Sequence, residues 1–336
     1  MALQDLSSIV ISSKVRLVRN LAKHPFPSKI SKEQGLALTK KIVDAVMKFG
    51  DFKVYMTSAL SRLDAMVMHE KHLISRELIS SSDISAVMLG ANETISVMVN
   101  ETDHICEECT LRGLSLVDVY RQLLSVDEAI CSKLDIAFDE GLGFLSSNIA
   151  DLGTGMTASV TMFLPALTLS GTFESTLETV APQGVCVSGI YGDETRGQGY
   201  LYRISNIRKL GKNEREILEE ITNVAIAIAE AEKRARERIA ATSYDDCLDL
   251  VMRAWGVLTN AHKISQTELM KYVGDLKLGM CLGLIAFKDG MILEKLEQAS
   301  MPFSLQKSMG TELGELERDK HRAKSVGLTL KNMRIK

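Results

Sequence analysis

Apolar and polar positions along the chain follow two periods, and they divide it into an alternating front and a helical tail. Ile95, Val97 and Val99 alternate with Ser96, Met98 and Asn100, a period of two that predicts a half-buried strand. The β-branched opening of IVISSKVRLVRN predicts another, as do residues 51–60, Ala158–Leu164, and the two arms of 184–206 around a glycine-rich loop. Helical spacing appears over 32–48, with Leu36, Leu38, Ile42, Ala45 and Val46, and over 113–137, with Leu114, Leu116, Val117, Val119, Leu123 and Leu124. From Asn213 the pattern is helical almost without interruption. Ile217, Ile221, Val224, Ala225 and Ile228 share one stripe, and Cys247–Ala261, Thr267–Leu278 and 315–331 follow. Thr242–Asp246 marks the expected boundary, so the chain reads as two domains, 1–241 and 242–336.

Composition narrows the partners. A chain of 336 residues that is 46% apolar can bury a large core. Its net charge of −3 offers no general grip on nucleic acid or membrane. The longest apolar run, Met280–Phe287, is too short to span a bilayer, and MALQDLSS lacks the regions of a signal peptide. Six scattered cysteines fit a reducing, cytoplasmic setting, and the lone CxxC of Cys106 and Cys109 is a weak metal signal.

Four stretches carry candidate chemistry. In Asn100-Glu101-Thr102-Asp103-His104, acids and an imidazole crowd one strand end, where catalytic groups are often mounted; a capped turn gives the same pattern. At strand spacing Lys14 and Arg16 project to one face beside Ser12 and Ser13, which suits a polyphosphate, or equally a solvated basic edge. Gly153-Thr154-Gly155 can bring backbone N–H groups to a ligand, although it lacks the P-loop pattern. The loop Gly192–Gly199, with Asp193, Glu194 and Arg196, is either a mobile flap or a hairpin turn. His69 and His72 stand three apart without further zinc ligands, and Arg318 and Arg322 share a helix face as a phosphate clamp or a salt-bridge ladder.

Together these segments resemble the protein-arginine kinases (McsB) of the ATP:guanido phosphotransferase family, from about Val10 to the C-terminus. VISSKVRLVRN resembles the family's SSRIRLARN, EKHLIS matches it outright, and SVMVNETDHI resembles SVMLNEEDHLR. LGTGMTASVTMFLPAL, VSGIYGDETRGQG, RAWGVLTNA, DLKLGMCLGLI and RDKHRA continue the likeness in order. The resemblance implies an α+β fold, a guanido-kinase-like antiparallel sheet flanked by helices and followed by a C-terminal helical domain for dimerisation. It implies transfer of the γ-phosphate of Mg-ATP to arginine side chains of proteins, marks read by Clp-type protease components in protein quality control. Ser12, Ser13, Lys14, Arg16 and His72 then belong to the nucleotide wall. Arg318, Asp319, Arg322 and Ala323 keep the RDxxRA motif that binds phosphoarginine.

The departures fall on the chemistry. Thr102 stands at the position of the catalytic carboxylate and Asp193 at that of its partner. The five phosphate-binding arginines correspond to Lys14, Arg16, Cys106, Thr157 and Ser188, so three charges are gone. The reactive-cysteine segment CPTN is replaced by Asn148-Ile149-Ala150-Asp151. Three lost charge-assisted hydrogen bonds, at roughly 1.5–3 kcal/mol each, remove on the order of 5–9 kcal/mol. The expectation is a pseudoenzyme or strongly impaired kinase that binds phosphoarginine-bearing proteins, as a homodimer or paired with an active paralogue. An active kinase is the alternative, with Glu101, Asp103 or Glu107 as the carboxylate and Arg196 or Arg203 as a replacement cation.

Overall fold

The opening β-branched run forms β1 (Val10–Arg19), whose Val15 and Leu17 are fully buried while Ser12, Lys14 and Arg16 on the other face stay half open. This computed structural model describes residues 6–80, 83–180, 184–190 and 197–331. Helix α1 (Lys32–Val46) starts at a capping box in which Ser31 accepts from the Gln34 N–H and the Gln34 side chain reaches back. Then come β2 (Phe52–Met56), α2 (Arg62–Glu70), α3 (Arg76–Ser80), β3 (Ala86–Gly90), β4 (Ile95–Val99), β5 (Ile105–Arg112) and α4 (Leu116–Cys131). A short hairpin, β6 (Phe138–Asp139) and β7 (Gly143–Phe144), precedes β8 (Met156–Phe163). The helices α5 (Pro165–Leu169) and α6 (Phe173–Val180) lead to β9 (Val185–Gly189) and β10 (Leu201–Asn206).

Eight strands join in one sheet of order β2-β3-β4-β5-β1-β8-β10-β9. The pairs β2–β3, β3–β4, β4–β5 and β1–β5 are antiparallel. Alternation along the strands splits the core into two layers. Val97, Val99 and Ile105 pack under Leu38, Ile42, Val126 and Ile130 of α1 and α4. Met98 and Cys106 pack on the other side, against Ala65, Leu73, Ile74 and Leu78 near α2 and α3. Each such side chain contributes roughly 1.5–3 kcal/mol when fully buried.

The described elements of the tail are all helices: α7 (Glu214–Thr242), α8 (Tyr244–Asn260), α9 (Gln266–Cys281), α10 (Ile292–Ala299), α11 (Pro302–Met309) and α12 (Glu315–Lys331). Helices α10 and α11 are not apparent in the periodicity, being eight residues each. The expected boundary falls at Ser243, between α7 and α8, yet the compact units do not follow a single cut. One unit takes Met1–Thr161, Ala181–Val187 and Arg203–Ala225; the other takes Met162–Val180, Ser188–Tyr202 and Ile226–Lys336. In the second, Val251, Leu258, Leu269, Val273, Leu293, Leu296, Val326 and Leu330 form one apolar core from α8, α9, α10 and α12.

Gly153-Thr154-Gly155 is a packing device rather than a ligand cradle. A Cβ on Gly155 would lie 2.7 Å from Val18 O, and one on Gly153 would lie 2.7 Å from Lys209 O, both at positive φ. The Thr154 carbonyl accepts from Arg19 Nη1. The backbone there is closed against its own sheet.

Candidate functional site

The register of β1 against β5 places Arg16 opposite Glu108 and Val18 opposite Cys106, so one face of the sheet gathers Lys14, Arg16, Cys106 and Glu108. Lys14 Nζ pairs with Glu108 Oε2 at 2.5 Å. Arg16 donates from Nη2 to Glu101 Oε2 at 2.7 Å and from Nε to Cys106 Sγ at 2.7 Å. Its Nε lies 3.8 Å from Glu108 Oε1. Full burial raises the Cys106 thiol well above its ordinary range, even beside Arg16, so a neutral group stands there. Both cations on this face of β1 are therefore held by carboxylates beside them, Glu108 of β5 and Glu101 of the loop before it. Ser13, by contrast, points to the opposite face and is fully buried. It donates to Gly113 O and accepts from the Ser115 N–H, which holds the turn into α4 and corrects its expected place in a nucleotide wall. Ser12 shares the face of Lys14 and Arg16.

Loop 100–104 joins β4 to β5. Asn100 adopts a positive φ of 53°, with its side-chain amide donating to Gly35 O and Thr39 Oγ1. Asp103 is buried and accepts from Asn20 Nδ2, the Ser147 N–H and the Ser146 hydroxyl, so it is a structural group. Glu101 is 3% exposed, paired through Oε2 with Arg16, and its Oε1 has no partner. Thr102 is the one exposed residue of the five. Glu107 cannot serve as a replacement base on this face. It points to the opposite side, buried towards Asp127 of α4, because successive strand residues alternate.

His104 is fully buried. Its Nδ1 accepts the Leu21 N–H at 3.1 Å while Nε2 faces Pro25 O at 3.0 Å, an arrangement that requires the neutral, Nε2-protonated ring. Burial lowers its pKa accordingly. The unfolded chain takes up a proton near pH 6.5 while the folded ring resists it, so stability is intact above that pH and falls below it. The loss from this group reaches at most about 1.4 kcal/mol per pH unit until the folded ring itself protonates. Urea midpoints measured from pH 7 to pH 5 are expected to decline, and His104→Gln to flatten that decline; an unchanged slope in the variant would remove His104 as the cause.

His72 follows α2 at a positive φ of 58°. Crowding by protein, then the charges of Lys14, Arg203 and His69, lower its pKa to about 4 against the opposing pull of Glu108. Arg203 of β10 is thus near enough to act on the imidazole, and no carboxylate pairs with it among the described residues. It is one of the two cations, with Arg196, that the sequence offers as replacements. Thr157 is half-buried on β8, the strand after β1 in sheet order, and Ser188 is half-buried on β9. Asp193, Glu194 and Arg196 lie outside the described residues. Asp151 of the 148–151 segment is buried against Lys209. Cys106 and Cys109 do not converge, since Cys109 faces Gln122 of α4. Among the described residues no three His, Cys, Asp or Glu gather as a metal site. No helix there is long and apolar enough to cross a membrane.

In the second unit, the two motif arginines of α12 do not form an open clamp. Arg322 is 1% exposed, with Nε donating to Ser300 O and Nη1 to Ile264 O and Asp319 Oδ1. Ala323 is buried in the helical core, and Arg318 and Asp319 remain half-exposed.

Comparison with known proteins places this geometry. Residues 37–235 match the ATP:guanido phosphotransferase C-terminal catalytic domain, and residues 245–336 match the protein-arginine kinase McsB C-terminal domain. The chain is 37% identical over 337 residues to the protein-arginine kinase of Caldanaerobacter subterraneus subsp. tengcongensis, covering 98% of each. It is 37% identical over 322 residues to that of Bacillus subtilis, covering 94% of this chain and 88% of that one. Among solved structures, the substrate-free duplicated taurocyamine kinase from Schistosoma mansoni shares the fold with a TM-score of 0.63 at 21% identity, over 83% of this chain and 47% of that one. A lombricine kinase does so with a TM-score of 0.60 at 20% identity, over 71% and 70%.

Proposed function

The chain belongs to the protein-arginine kinase branch of the ATP:guanido phosphotransferases, and from that premise we propose that it is a pseudoenzyme or strongly impaired kinase with a regulatory, phosphoarginine-linked role in protein quality control. The observation that carries the proposal is loop 100–104: both acids are buried and engaged, and the only exposed residue is Thr102, which cannot act as a carboxylate base. The cations tell the same story. Lys14 is paired with Glu108 and Arg16 with Glu101, so both cations on this face of β1 are committed before any phosphate arrives. These residues are a poor fit to Mg-ATP, whose triphosphate needs uncommitted donors aimed at developing charge. Loss of a transition-state donor alone costs about 10²–10³ in rate, and loss of the base about 10²–10⁴.

The regulatory part of the reading rests on the helical unit. Arg318 and Asp319 stay accessible on α12 while Arg322 holds the frame beneath them. Pairing through this unit, with a second copy or an active paralogue, belongs to the same proposal.

One observation favours the active alternative: Glu101 keeps Oε1 without a partner, one residue from Thr102. The two readings separate in a thermal-shift titration with Mg-ATP alongside an assay for acid-labile phosphate on arginines of a test protein. The pseudoenzyme is expected to give a flat shift at millimolar Mg-ATP, because a ligand of the native state must raise apparent stability. It is also expected to turn over at least about 10⁴-fold more slowly than an authentic family kinase. A clear upward shift with labelled arginines, both lost in Glu101→Gln, would establish the active kinase instead.

A further inference from the structure

The first strand in the sheet order, β2, has β3 on one side and no strand on the other among the described residues. Its register with β3 runs without a bulge from Phe52 opposite Gly90 to Met56 opposite Ala86. The Thr57 N–H continues that ladder to Ser85 O, so by the alternation of antiparallel pairs Tyr55 and Lys53 also turn their backbone groups towards β3. Phe52 and Val54 then aim their N–H and C=O groups out at the open edge. The side chains alternate as well. Phe52 and Met56 pack on the α1 side of the sheet and Tyr55 on the α2 side, which places Val54 on the first face and Lys53 on the second.

Such an edge is a template for another strand, and proteins ordinarily blunt it with proline, a bulge, a covering segment or charge. Proline and bulge are both absent from β2, and apolar groups stay open beside it. Val54 is 36% exposed, and Met47 and Phe49, in the turn from α1 into β2, are 44% and 45% exposed. Charge surrounds them. Segment 40–54 carries Lys40, Lys41, Lys48 and Lys53 against Asp44 and Asp51, all exposed and none in an ion pair among the described residues. Positive charge is thus in excess here, on a chain whose net charge is −3. A lysine that only guarded the edge would not account for the apolar groups left open with it. A second copy is a poor occupant, because pairing β2 with itself would bring the same lysine excess from both chains to one seam.

We propose that the open edge of β2 docks an extended, acidic segment of a partner protein, which adds to the sheet as a further strand. The backbone groups of Phe52 and Val54 pair with the main chain of that segment. Alternation fixes its pattern, with apolar side chains on the α1 face beside Val54 and carboxylates on the other face beside Lys53. Lys48 and the lysines of α1 add an attraction that salt screens. In the sheet order β2 stands four strands from β1, roughly 19 Å at about 4.8 Å per strand. The surface is therefore separate from the cluster of Lys14 and Arg16, and the proposal does not depend on how that site is read.

The test uses the full chain and a short, end-blocked peptide in which valine and glutamate alternate, carrying a fluorescent label and followed by anisotropy. Amide hydrogen exchange read by NMR locates the peptide on the chain. Binding is expected, weakening as salt rises, with the Phe52 and Val54 amides gaining protection while that of Tyr55, already bonded to β3, keeps its own. Val54→Pro deletes one outward donor, spares the ladder to β3, and should abolish binding. Lys48→Glu combined with Lys53→Glu leaves the backbone intact and should weaken binding at least about tenfold. A peptide alternating valine and lysine should not bind. The proposal is overturned if the valine–glutamate peptide fails to bind at millimolar concentration, if the lysine peptide binds as well, or if binding leaves the Phe52 and Val54 amides unprotected. Self-association of the chain that Val54→Pro removes would make a second copy the occupant and overturn it likewise. Should Val54→Pro unfold the chain, the paired lysine variant and the exchange pattern decide: unweakened binding in that variant refutes the charge recognition.

Discussion

Replacing Arg322 with alanine is expected to destabilise the helical unit by about 3–5 kcal/mol, the range for breaking a buried, hydrogen-bonded charge from one side. The guanidinium ties three chain segments. It donates to Ser300 O at the end of α10, to Ile264 O ahead of α9, and to Asp319 one turn earlier on α12. Ile264 is tied to the same point from its N–H, which donates to Asp319 O. Removing the side chain leaves two buried carbonyls and a carboxylate unmatched and opens a cavity beside Val326 and Leu330. Arg322→Lys should recover little, because one ammonium cannot reproduce a planar fork aimed at separate acceptors. Arg318→Ala, on the half-exposed side of α12, should change stability by no more than about 0.5 kcal/mol. Urea unfolding followed by helical circular dichroism checks all three. An Arg322→Ala chain as stable as wild type would show that the buried network does not hold the unit together. The contrast bears on function too: loss of phosphoarginine binding in Arg322→Ala would report unfolding, whereas loss in Arg318→Ala would report a lost contact.

The same residue shows where sequence reading stops. RDxxRA announces two arginines one turn apart, and helical spacing puts them on neighbouring positions of one face. Which of them is buried depends on Ser300 and Ile264, 22 and 58 residues away, and no local pattern carries that. The loop at 100–104 behaves alike. Its acids are conspicuous, and the strand before it is legible because Ile95, Val97 and Val99 keep a period of two. That Asp103 serves the backbone at Ser147 and the side chain of Asn20 follows only from the fold. The central strand β5 was hidden for a related reason. ICEECTLR sets two glutamates side by side in what becomes a buried strand, and charge at a buried position defeats hydrophobic periodicity. Lys14 and Arg16 were readable because alternation alone puts them on one face, while their neutralisation by Glu108 and Glu101 is a product of strand register.

Those two glutamates lead to the second large effect, an increase in stability at alkaline pH on replacing Glu107 with glutamine. Glu107 is fully buried on the α4 face of β5, with its carboxyl against that of Asp127 and no cation of its own among the described residues. Its neighbour Asp127 is already paired with Arg19, Nε to Oδ1 at 2.9 Å and Nη2 to Oδ2 at 2.8 Å. Arg19 is used fully, donating Nη1 to Val18 O and Thr154 O and stacking on Phe144 with its guanidinium carbon 3.6 Å from the ring centre. One cation thus faces two carboxyls, with the Cys131 thiol 3.5 Å from Asp127 Oδ1. Burial first, and then the charge of Asp127, raise the Glu107 pKa well above the usual carboxylate range, against the weaker opposing pull of Arg19. The folded chain therefore keeps a proton on Glu107 at pH values where the unfolded chain has released it. Protons bound in the native state exceed those in the unfolded state, so stability falls as pH rises above about 4.5 and continues to fall until the buried carboxyl ionises. The slope is at most about 1.4 kcal/mol per pH unit. Glu107→Gln keeps the shape, can donate to Asp127 at any pH, and has no proton to lose. Its urea midpoint is expected to exceed that of wild type by pH 8 and to converge with it near pH 4. Arg19→Ala should do the reverse and cost about 3–5 kcal/mol at neutral pH, because Asp127 would lose the buried cation that pairs with it. Parallel pH profiles for wild type and Glu107→Gln would mean that Glu107 titrates normally and that solvent reaches it in the native state.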